Sequence, residues 1–284
     1  MQCRYREKVV AAGDMLFISV VPEWRKAGKR RGKFRVTSED QARYNEKQAA
    51  LRFQLMIHEN FTSRDFRLDL TYNNRYLPAD EEQFMRDLRN FAARLRHLYR
   101  EAGIELKYAI VRAWSEKGRP HAHIVITGGV PYKAIKECWG MGIVSWRPLE
   151  FDERGICDLG FYYATQKRSG KTAKIHERAK GERRWSGSRN LIRPSEKVNV
   201  TRYSRKALEE IADSGNPQEI FNRRYPGYWL SEFPSIRWND TNKAWYLDAV
   251  MYRPDSPNLA EYARRGDEEI RGRRRKAGEE SAGE

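Results

Sequence analysis

Apolar and polar positions along the chain follow two periods. Phe66, Leu68, Leu70 and Tyr72 alternate with Arg67, Asp69 and Thr71, the pattern of a half-buried strand. Phe84, Leu88, Phe91, Leu95 and Leu98 recur at four and three residues, the pattern of a helix with one apolar face. Asp80 and Gln83 stand at capping-box spacing before that helix, and Gly103 stops it. Its other face carries Arg86, Arg89, Arg94 and Arg96. A further helix is expected to start after Thr37 or Ser38 and to run towards Asn60. Strands are expected at 104–114 and 121–127, joined by the Gly-containing turn "SEKGRP" as a hairpin. "PYKAIKECWG" reads as a short helix, "GIVSWRPLEF" as a fourth strand and 158–168 as a helix. The order β-α-β-β-α-β-α predicts an α+β fold, a central antiparallel β-sheet with helices packed on one face.

Outside this block the pattern weakens. Residues 1–36 hold a short strand-like run, Met15 to Val21, and a basic stretch "RKAGKRRGKFR" that reads as a mobile arm. The core domain is set at 37–195. A helix at 204–214 and a hairpin turning at Asn239 to Asn242 form an extension, 196–255, expected to pack on it. Residues 256–284 read as a charged, disordered tail.

Charge changes this picture. Lys and Arg number 55 against 39 Asp and Glu, a formal net charge of +16. A field of that sign favours a polyanion, and aromatics interleaved with the basic residues favour nucleic acid. The three cysteines form no CxxC pair, so neither a zinc knuckle nor a disulfide framework is expected. Without an apolar run of about 18 residues, no membrane span is expected. These features point to a cytoplasmic protein that associates with nucleic acid.

Candidate chemistry centres on His121 and His123. Side chains two apart on a strand share a face, and two neutral imidazoles can grip one divalent cation. His58, His97 and His176 supply no second paired motif, which argues against a two-motif phosphodiesterase.

"GRPHAHIVI" resembles the HUH motif of rolling-circle replication initiators and relaxases, two histidines flanking one residue. Other blocks resemble that family in order: "DLTY", "FMRDLRNFAARLR", "CWGMGIVSW" with its Trp-x-x-Gly-x-Val spacing, "FYYATQKRSGK" and "RRWSGSRNLIRP". The resemblance spans roughly 37–194. It implies an HUH endonuclease (RRM-like) fold and a metal-dependent, site-specific DNA endonuclease and strand transferase. His121 and His123 would hold Mg²⁺ or Mn²⁺; many relatives carry a Glu on the strand before the histidines, where this sequence has Arg112, Ala113 and Trp114, so the third ligand is left between Glu116, the one nearby acid, water and a group from elsewhere. A tyrosine would attack the scissile phosphate and leave a covalent 5′-phosphotyrosine. Tyr163 is the choice for this role, with Tyr162 beside it. Lys167 shares a helical face with Tyr163, but the family's usual spacing puts lysine where Gln166 stands. Single-stranded DNA, at an origin or hairpin, would be gripped by Lys29, Arg30, Arg31 and Lys33 and by Arg183, Arg184 and Arg189. Trp185 or Trp139 would stack on a base. A host helicase or polymerase would be a further partner. Two alternatives remain open: a single-tyrosine transposase or relaxase, and a non-catalytic nucleic-acid binder that keeps the fold.

Overall fold

The computed structural model describes residues 3–24, 39–115, 117–156 and 185–260, without the side chains of 39–44, 46 and 47. These fall into two compact units, one of residues 37–149 and 158–193, the other of 1–36, 150–157 and 194–284.

The first unit is built on the elements the periodicity predicts. Strand β3 (Phe66–Leu70) leads through a 3-10 turn into helix α2 (Glu81–Glu101). The Asp80 carboxylate accepts the Gln83 N–H at 2.7 Å, and Glu81 and Glu82 occupy the first turn, where the helix dipole favours acids. Gly103 takes φ 67°, a left-handed conformation that ends the chain's helical path. Strands β4 (Tyr108–Trp114) and β5 (Pro120–Ile126) form the expected hairpin. β4 starts later than its apolar pattern suggested, because Ile104 N–H is spent on the Tyr99 carbonyl at the helix end. Helix α3 (Tyr132–Trp139) and strand β6 (Val144–Pro148) follow. With β9 (Trp185–Gly187), the sheet runs β6-β3-β5-β4-β9, all pairs antiparallel.

Leu68, Leu70, Ile110, Ala122, Ile124, Ile126 and Val144 line one sheet face and pack with Phe84, Leu88, Phe91 and Leu95 of α2 and with Ile135 and Trp139 of α3. Each buried aliphatic side chain of this kind contributes roughly 1.5–3 kcal/mol. The opposite face is also apolar around β4 and β5: Ala109, Val111 and Val125 are buried. It cannot be left to water, so the expectation of helices on a single face fails for one element. Phe53, on helix α1 (Glu39–Asn60), packs on Trp185 of β9 with ring centres 5.4 Å apart, on the side that Trp185 shares with Val111.

The second unit joins segments that the sequence set apart as an arm and an extension. Strands β1 (Arg4–Ala12) and β2 (Met15–Glu23) form a hairpin that turns at Gly13, φ 55°. β1 pairs with β10 (Ser195–Asn199), and β2 with β13 (Ala244–Tyr252). β11 (Trp229–Leu230) and β12 (Ser235–Asn239) pair with β13. Helices α4 (Arg205–Asp213, capped by Ser204) and α5 (Pro217–Arg224) bury Leu208, Ile211 and Phe221 with Ile18, Val20, Leu247 and Met251. A small hairpin, β7 (Phe151–Asp152) with β8 (Gly155–Ile156), belongs to the same unit. The start of the expected tail is ordered: the Ser256 hydroxyl donates to Asp14 at 2.6 Å, and residues 257–260 are helical.

Candidate active site

His121 and His123 sit on β5, the central strand of the five-stranded sheet. Their rings meet edge to face with centres 4.9 Å apart, so the shared face expected from their spacing is realised. Ala122 between them is fully buried in the α2–α3 core.

Asp69 lies opposite His123 across the β3–β5 pairing, and its Oδ1 is 2.5 Å from His123 Nδ1. Nδ1 donates there, which fixes the tautomer and makes Nε2 the acceptor nitrogen of the ring. Ser145, opposite Asp69 on β6, reaches Oδ2 at 3.4 Å, and Arg67 Nη2 lies 3.7 Å from the same oxygen. Burial pushes the Asp69 carboxyl up, but the hydrogen bond and charge of His123, with Arg67 and Ser145, outweigh it and hold the pKa below its usual value. Burial, reinforced by His123, pulls His121 down. His121 is therefore a neutral imidazole near pH 7, the form that binds metal.

Two loops frame the pair. Arg119, just before β5, donates to the Tyr72 carbonyl at 2.9 Å and to Asn74 Oδ1 at 2.7 Å, tying the β4–β5 turn to the loop after β3. The "CWGMGIV" block closes on the end of β3. Trp139 Nε1 donates to the Thr71 carbonyl at 2.8 Å, and a Cβ on Gly142 would stand 2.1 Å from the same oxygen. Only glycine permits that approach, which seats β6 beside Asp69.

Among the described residues no group of three or more His, Cys, Asp or Glu side chains is placed to hold a metal ion. The donors present are two imidazoles. With metal–nitrogen bonds of about 2.1 Å, two rings sharing a cation at nearly a right angle would have centres roughly 4.6–5 Å apart, so this pair fits. Asp69 matches the carboxylate that orients a ligating histidine from behind.

The matches to known proteins bear on this stretch. The family model for the replication-associated protein ORF2, a family of phage rolling-circle replication initiators, matches residues 66–167. That segment is similar to the family. It contains Asp69, His121 and His123, and it extends over Tyr162, Tyr163 and Lys167. No curated protein and no solved structure matches the chain.

Glu116, Tyr162, Tyr163, Lys167, Lys29, Arg30, Arg31, Lys33, Arg183 and Arg184 lie outside the described residues. Trp185 is half-buried with its ring on Phe53, and Arg189 is exposed just after β9. Trp139 cannot stack on a base: it is 1% exposed and enclosed by Tyr72 and Phe91. Asp69 stands in the "DLTY" block, yet the sequence pattern alone gave it no part in the site. Its place on the polar side of β3 was the available signal, but its partner depends on a pairing 54 residues away. No helix of the described residues is long and apolar enough to cross a membrane.

Proposed function

We propose that this chain is a phage- or plasmid-type rolling-circle replication initiator that nicks and rejoins single-stranded DNA at an origin. One observation carries the reading. Within the segment that matches the replication-associated family, two histidines share one sheet face, and a carboxylate holds one of them in a single tautomer.

In this reading Tyr163 is the nucleophile. Its phenolic oxygen attacks the scissile phosphorus and the bond to the 3′ oxygen breaks. The 3′ oxygen leaves as a hydroxyl, the proton lost by the phenol balancing the one it gains. The 5′ phosphate stays on the tyrosine, one phosphate ester having been exchanged for another, so the strand can be rejoined. Lys167 supplies positive charge to the phosphate. A magnesium or manganese ion held by His121 and His123 supplies Lewis-acid polarisation of that phosphate when bound. Asp69 keeps His123 in the tautomer and orientation this needs. The excess of basic residues draws the DNA strand in.

The test is a denaturing gel of protein incubated with Mn²⁺ and labelled single-stranded oligonucleotides from its replicon. A covalent adduct lost in Tyr163→Phe and in His121→Ala/His123→Ala is expected. An adduct that survives Tyr163→Phe but not Tyr162→Phe moves the nucleophile. Tight binding with no adduct on any oligonucleotide overturns the nuclease reading in favour of a non-catalytic binder. Preference for element-end hairpins over an origin favours a transposase or relaxase.

A further inference from the structure

Beside the histidines, the same sheet face carries a pair of arginines. β3 and β6 are antiparallel, with Asp69 opposite Ser145 and Arg67 opposite Arg147. Residues opposite one another share a face, with Cβ atoms about 4.5–5.5 Å apart. Asp69 faces His123, so Arg67 and Arg147, two residues further along, face the same way. Like charges placed directly opposite destabilise a sheet. Arg67 is held beside Asp69 at 3.7 Å, whereas Arg147 is exposed and makes no hydrogen bond or ion pair among the described residues. β6 is an edge strand, so this flank of the histidine face is open, while Phe53 and Trp185 pack over the β9 side.

We infer that Arg67 and Arg147 form a phosphate clamp that seats a DNA backbone phosphate within two nucleotides of the one held at the histidines. This rests on the proposed strand-nicking reading. A rise of about 3.4 Å per residue and a strand spacing of about 4.8 Å put the Arg67 backbone roughly 8 Å, and that of Arg147 roughly 12 Å, from His123. The long guanidinium side chains can close much of that gap. An anion between two facing guanidinium groups turns their repulsion into binding, and the planar fork of arginine suits phosphate oxygens. The clamp thereby sets the direction in which the strand crosses the sheet.

The test uses the full chain and fluorescence anisotropy with a labelled single-stranded oligonucleotide that the wild type binds. The same oligonucleotide then carries a neutral methylphosphonate at each linkage in turn. Arg147→Ala is expected to weaken binding roughly tenfold, the effect of losing one charged hydrogen-bonding contact. It should also lower the slope of log K against log salt by about 0.7. One methylphosphonate position should weaken the wild type by a similar factor. Combined with Arg147→Ala it should cost no more than either change alone, and Arg147→Lys should recover part of the loss. Losses that multiply at every position overturn the clamp. Adduct formation is scored separately. An adduct without this coupling removes the clamp and leaves the nuclease reading intact, whereas coupling without an adduct keeps the clamp and removes the nuclease.

Discussion

Replacing Asp69 separates two roles of one carboxylate. It takes a short hydrogen bond, 2.5 Å, from a His123 ring that is only 6% exposed. Asp69→Ala deprives that buried ring of its carboxylate, a loss of about 1–3 kcal/mol by the usual cost of an unmet buried donor. For a chain of this size, about 2 kcal/mol lowers Tm by roughly 4–8 °C. Asp69→Asn keeps an acceptor oxygen and removes only the charge, so its Tm should fall less. If the carboxylate also orients His123 for a cation, both variants should bind Mn²⁺ more weakly. The loss for Ala should be about 10–100-fold, the range for carboxylates behind ligating histidines. Isothermal titration calorimetry with Mn²⁺ measures this without any DNA or turnover, and circular dichroism confirms that the variants remain folded. A folded Asp69→Asn that binds Mn²⁺ as the wild type does would refute the orienting role and reduce Asp69 to a stabilising partner.

Two further outcomes follow from the same unit. In Gly142→Ala the new methyl would meet the Thr71 carbonyl at 2.1 Å, so β6 must shift from β3. A stability loss of about 1–3 kcal/mol in urea melts is expected, as for other overpacked sites, together with weaker adduct formation. An unchanged melt would show that β6 can give way without cost. His58 is buried and its pKa is pulled down to about 3 by burial, so the folded state stays neutral in acid where the unfolded chain takes up a proton near pH 6.5. The folded-state pKa is depressed, so the stability is fully present above pH 6.5 and drains away as pH falls towards 3. Between pH 7 and pH 5 the wild type should lose about 2 kcal/mol more than His58→Leu; parallel pH profiles for the two proteins would overturn this.

Much of the first unit was legible because its signals are local. Helix α2 is written out by its own cap, stripe and stop: Asp80, the Phe84–Leu88–Phe91–Leu95 row and Gly103 all act within a few residues of one another. The common face of His121 and His123 needs only the two-residue period of a strand. The β4–β5 hairpin needs only a short turn between two β-rich runs. None of these depends on what lies elsewhere in the chain.

The remainder was decided by contacts between distant segments. Asp69 meets His123 because β3 enters the sheet beside β5 in one register; a shift of a single residue would turn the carboxylate into the core. Arg67 faces Arg147 through the register of β3 with β6, which rests on Gly142 and Trp139 closing over Thr71. Trp139 reads in sequence as a candidate to stack on a base, yet Tyr72 and Phe91 enclose it. The second unit is the extreme case. β2 pairs with β13 more than 200 residues away, and Glu7 of β1, 2% exposed, accepts a hydrogen bond from Tyr225. Hydrophobic periodicity tells which face of an element must be buried. It carries no information about which distant element will bury it, and that choice placed the carboxylate and the arginines around the two histidines.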